Sequence, residues 1–122
     1  KTYRTAVMVS QATHDLVQHK ILGRELDLIS VKGRSEPLRT FELLQRRDGG
    51  VDVKLEQFLI YYAEGLRLYR ERRWNEAEKK FGEALLYRPD DYPTKLHLER
   101  AAHFKLNEPP KDWNGVFELT TK

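Results

Sequence analysis

Hydrophobic positions change their period partway along the chain. Up to Leu44 apolar residues come in short runs; from Leu55 to Leu106 they recur at helical spacing. The run Thr5–Val9, TAVMV, is nearly all apolar and predicts a short buried strand. Ser10 suits the cap of a helix over Gln11–His19, in which Ala12 and Leu16 share one face at i, i+4 spacing. Glu25–Val31, ELDLISV, and Leu38–Leu44, LRTFELL, predict two further strands. In the first of them Leu26 and Leu28 fall on one face and Ile29 and Val31 on the other. That strand is therefore either buried on both faces or bulged midway. The order is β-α-β-β.

Asp48-Gly49-Gly50 marks the change of period, because paired glycines favour a turn or a flexible connection. Residues 1–47 form a first module, 48–52 a linker and 53–122 a second module. In the second module Asp52 can cap a helix over Leu55–Arg72, with Leu55, Phe58, Leu59, Tyr62, Leu66 and Tyr69 in one stripe. Another helix fits Trp74–Tyr87, with Ala77, Phe81, Ala84 and Leu85 inward and Pro89-Asp90-Asp91 closing it. A third fits Pro93–Leu106, where Pro93 suits the first turn and Leu96, Ala101, Phe104 and Leu106 supply apolar contacts. Pro109-Pro110 then stops the helix, and an Asn114-Gly115 turn leads into a short extended tail. The fold class is α+β. The first module is small for a self-sufficient core, and its first strand offers an edge that invites dimerisation.

Composition narrows the partners. Charged residues make up 34% of the 122-residue chain, and no run approaches the ~20 apolar residues of a membrane span. With no cysteine, disulfides and thiol chemistry are excluded and a cytoplasmic setting is compatible. Lys and Arg exceed Asp and Glu by 22 to 19, too little to point to nucleic acid, and the densest cluster, Arg67–Trp74, sits in a helical pattern as a solvated face. His14, His19, His97 and His103 lack metal-ligand spacing and read as surface or half-buried histidines. Ser10, Ser30 and Ser35 carry no nucleophile motif, so the chain offers no catalytic residue and no metal site of its own.

The stretch YYAEGLRLYRERRWNEAEKKFGEALLYRPDD resembles one tetratricopeptide repeat. Gly65, Ala77 and Ala84 stand where that family keeps small residues, Tyr61, Trp74 and Phe81 where it keeps large ones, and Pro89 ends the repeat. Small residues let two helices approach closely, and the large ones fill the groove between them. The resemblance implies a helix pair capped by the third helix. One repeat is fewer than the about three that stable arrays need, so the module should pack on the first module, another protomer or a peptide partner.

The first module resembles the end of the class III adenylate/guanylate cyclase catalytic domain. The likeness rests on Leu22-Gly23, Val31-Lys32-Gly33-Arg34, Glu36-Pro37 and Phe41-Glu42-Leu43, with Phe41 at the family's tyrosine position and Arg34 keeping the charge of its second lysine. The tail PPKDWNGVFELTTK is similar to the end of bacterial cyclases that carry such a helical segment. The resemblance implies a piece of a ferredoxin-like cyclase fold, from a dimeric parent that turns ATP or GTP into a cyclic nucleotide for signalling. It implies phosphate contact in that parent for Lys32, with Gly33 giving close approach and Arg34 an added cation. It also implies two Mg or Mn ions held by aspartates upstream of Lys1; Asp15 and Asp27 do not match that motif, so this chain by itself is expected to be inactive. The rival expectation is a stand-alone interaction module with no enzymatic role.

Overall fold

The computed structural model describes residues 3, 7–31, 33 and 35–118. The elements in order are β1 (Met8–Ser10), α1 (Gln11–Val17), β2 (Ile21–Ser30), β3 (Leu38–Arg46), α2 (Val53–Arg70), α3 (Trp74–Tyr87), α4 (Tyr92–Leu106) and β4 (Phe117–Glu118). The protein is α+β. Its contacts divide it into two compact units: a sheet unit that runs to Val51 and resumes at Gly115, and a helical unit that holds Tyr3 and Asp52–Asn114.

In the sheet unit the strand order is β1-β3-β2-β4. β1 and β2 both pair antiparallel with β3, so α1 links two parallel strands that have β3 between them. This is a split β-α-β arrangement. The tail, grouped with the helices in the sequence reading, instead adds β4 to the sheet: Ile29 and Ser30 pair in parallel with Phe117 and Glu118. β2 resolves the choice left by its sequence through a bulge, with register shifts between Leu22 and Gly23 and between Glu25 and Asp27. An extra residue turns Leu26, Asp27 and Ile29 all into buried positions, which strict alternation would not allow.

Two expectations for the start of this unit are corrected. The first strand runs over Met8–Ser10 and is exposed, with Val7 and Met8 each 47% accessible; Thr5 and Ala6 lie outside the described residues. β1 is an edge strand, and its apolar side chains stay accessible there. Helix α1 ends at Val17 rather than His19 and buries none of its residues; Leu16 is 75% exposed. The side chain that docks is His14, whose ring stacks on Phe41 with centroids 4.1 Å apart and planes within 6°. Gly23 makes room for it: a Cβ at that position would lie 2.8 Å from His14 Cδ2 and 3.0 Å from the Glu42 carbonyl oxygen. Ser10 does cap α1, accepting from the Thr13 N–H at 3.3 Å.

The helical unit follows the predicted stripe closely. Asp52 caps α2 by accepting from the Leu55 N–H at 3.2 Å, and Phe58, Tyr62, Leu66 and Tyr69 are buried. Tyr61 meets Tyr87, Gly65 meets Phe81 and Tyr69 meets Trp74, a descending pairing that makes α2 and α3 antiparallel. Phe81 with His97 and Trp74 with Phe104 place α4 antiparallel to α3. Arg73, the residue before α3, donates to Glu76 at 2.6 and 2.5 Å and holds that carboxyl below its usual range. Both groups are exposed, so this pair adds little to stability.

Two expectations fail in α4. Leu106 was placed inward and is 83% exposed, whereas Thr94 and His97 are fully buried. His97 was expected at or near the surface. Its Nδ1 stands 2.9 Å from the Pro93 carbonyl oxygen, which can only accept, so Nδ1 carries the proton. Its ring lies edge-on to Tyr62 and Tyr69, centroids 6.3 and 5.4 Å away. A polar ring fills this core position because its backbone bond satisfies one nitrogen while its faces pack as an aromatic.

The α2–α3 turn carries a further device. Arg72 adopts a left-handed backbone, φ 66°, unusual for a residue with a Cβ. The turn aims its guanidinium at the segment after α4, donating to the Pro109 and Pro110 carbonyls at 2.6 and 2.9 Å and to Glu108 at 3.1 Å. That segment then lays Trp113 on Tyr69, Trp74 and Phe104, with centroids 5.3 to 5.6 Å apart.

Candidate functional site

The connection between β2 and β3, residues 31–37, is where the sequence places its site. Its root is held from both sides. On one side Ile29 pairs with Leu38 of β3; on the other it pairs with Phe117 of β4. Gly33 is exposed with φ +92°, and nothing lies within 4 Å of where its Cβ would be. Glycine is needed there for its backbone conformation rather than for space. Lys32 and Arg34, the two cations expected to meet phosphate, lie outside the described residues.

Cations nearer the middle of the hairpin are already committed. Arg24 and Glu42 are cross-strand partners, and Arg24 donates to Glu42 Oε1 from Nε at 2.9 Å and from Nη2 at 2.8 Å. Their side chains are 3% and 11% exposed, so the pair is nearly desolvated. Arg39 pairs with Glu25 on the opposite side of β3. Asp27 is fully buried; its Oδ1 accepts from the Leu28 N–H at 2.9 Å, and its carbonyl accepts from the Thr40 hydroxyl at 3.2 Å. These groups brace the hairpin, and the charges of Arg24 and Arg39 are met by Glu42 and Glu25. Among the described residues no three His, Asp or Glu side chains gather as a metal site.

In the helical unit, Gly65, Ala77, Phe81 and Ala84 are buried at the α2–α3 contact, and Trp74 is buried near its turn. A Cβ on Gly65 would sit 2.6 Å from two carbons of the Phe81 ring, so that ring occupies the space glycine leaves. Tyr61 is half-buried, stacked on Tyr87 at 5.9 Å and beneath the Lys80 ammonium at 5.5 Å. Pro89 is exposed and packs little; its part is to follow the end of α3. The sequence reading missed the buried Arg24–Glu42 pair and the docked His14. The glycine nine residues after His14 was the one visible sign that something approaches the strand there.

The two units thus comprise a split β-α-β sheet with a glycine-turned hairpin, and a close-packed helix pair with a third helix. No known family profile matches the chain, and no solved structure matches it. It is 26% identical over 103 residues to the terminal-differentiation specific adenylate cyclase of Dictyostelium discoideum. The match takes in 82% of this chain and 5% of that protein, so the chain spans a small part of the relative's length. At 103 residues it is longer than either unit, so the likeness runs through both. It is a distant relationship to an adenylate cyclase. Among the described residues no helix is long and apolar enough to cross a membrane.

Proposed function

We propose that this chain is the closing part of a class III nucleotide cyclase catalytic domain, followed by a tetratricopeptide-like helical segment. The parent would convert ATP or GTP to a cyclic nucleotide and pyrophosphate, and its origin would be bacterial and cytoplasmic. The observation that carries the reading is the adenylate cyclase likeness extending over both units. The hairpin supports it: its turn holds Lys32-Gly33-Arg34, with a left-handed glycine between two cations. A lysine mounted there would meet the triphosphate as a compact cation.

In this reading the chain supplies one wall of the pocket. The two divalent ions that cyclisation requires would be held by carboxylates of the parent outside this chain. The helical unit would act in packing, through Gly65, Ala77, Phe81 and Ala84, and the parent would work as a dimer. The chain by itself, incubated with ATP or GTP and Mn²⁺, is expected to release no cyclic nucleotide above a Lys32→Ala control. Product formed at a rate that falls in the control would contradict the reading of an incomplete site.

A further inference from the structure

A cavity of about 800 Å³ opens at the end of the sheet where β2 begins and β3 ends. His19, Lys20, Ile21, Arg46, Arg47 and Asp48 line it, all within the sheet unit. It is separate from the β2–β3 connection, which leaves the other end of both strands.

The backbone holds the two cationic segments together. The Arg47 N–H donates to the Lys20 carbonyl at 2.8 Å, and Arg47 Nε donates to the Gln18 carbonyl at 2.6 Å. The partner of that guanidinium is a neutral carbonyl. Arg46 holds Asp48 through Nε and Nη2, at 3.2 and 2.8 Å. The Lys20 ammonium and the His19 ring make no hydrogen bond or ion pair among the described residues. Lys20, Arg46 and Arg47 thus line the cavity with Asp48 as the one carboxylate beside them, a formal excess of two positive charges.

We propose that this cavity binds a phosphate group. A phosphate monoester carries about −1.5 to −2 charges at neutral pH, which matches that excess. Arginine and lysine side chains from two segments line it, and such donors suit the several oxygens of a phosphate. The volume exceeds that of a bare ion and falls in the range of small-molecule sites, roughly 300–1,000 Å³. The proposal does not depend on the hairpin reading.

The test titrates the full chain with inorganic phosphate, with AMP and with adenosine, following backbone amide shifts. Phosphate and AMP should move the amides of His19, Lys20, Arg46 and Arg47 saturably, and adenosine should not. Stronger binding of AMP assigns the site to an organic phosphate; equal binding assigns it to phosphate itself. Lys20→Gln with Arg46→Gln should weaken binding at least about tenfold, as loss of two charge-assisted contacts would. Lys20→Gln alone, which removes no side-chain hydrogen bond or ion pair among the described residues, should weaken it in the same direction. Lys32→Ala should leave it unchanged. Absence of saturable shifts at these amides, or binding undiminished in both glutamine variants, would overturn the proposal.

Discussion

Glu42→Ala is expected to destabilise the sheet unit by about 3–5 kcal/mol, because it strips the counter-charge from a guanidinium with a side chain only 3% exposed. Both Nε and Nη2 of Arg24 point at Glu42 Oε1. Desolvation of the remaining charge dominates that cost. Removing both charges with Arg24→Leu and Glu42→Leu should therefore cost much less than either truncation alone. Native-state hydrogen exchange of β2 and β3 amides reads the effect locally, which matters because two units need not unfold together. Equal losses in the single and double variants would show that shape, not charge, governs this site.

Gly65→Ala is the second large effect. Alanine is the better helix former by about 1 kcal/mol, so propensity predicts a gain. Packing predicts the reverse, since the added methyl would meet the Phe81 ring at 2.6 Å and overpacking costs about 1–3 kcal/mol. Packing should win, because Phe81 is fully buried and cannot swing into solvent. In a Phe81→Leu background the same alanine should cost markedly less, a coupling expected of residues in direct contact. Trp74 and Trp113, the chain's two tryptophans, both lie in the helical unit, so fluorescence-monitored urea unfolding reports on that unit alone.

The contrast between the units shows what a sequence exposes and what it hides. The α2 stripe repeats its apolar residues at helical spacing, and Asp52 stands where a cap must stand, so helix, face and N-terminal cap could be read together; the end, expected at Arg72, comes at Arg70 because Arg72 takes a left-handed backbone. In the sheet unit the deciding features are non-local. β4 comes from the far end of the chain and pairs with Ile29 and Ser30; nothing in the short tail names that partner. Arg24 and Glu42 look like surface charges in one dimension, and only the register that sets them opposite each other explains their burial. Leu16 misled for the complementary reason: it has helical spacing with Ala12, yet the short α1 rests on the sheet through His14. Of the candidate site, the glycine turn was legible because a left-handed backbone leaves a mark in residue type. The cavity at the opposite end was not, since it joins residues 19–21 to 46–48 through strand pairing.

The cyclase reading rests finally on what Lys32 would do in the proposed parent cyclase. Steady-state cyclisation of ATP and GTP by that protein, with Lys32→Ala beside Lys20→Gln, measures this directly. We expect Lys32→Ala to lower kcat/KM about tenfold or more, the scale of one lost charge-assisted phosphate contact, with Lys20→Gln at the parental value. A Lys32→Ala protein that cyclises nucleotide at the parental kcat/KM would contradict the account.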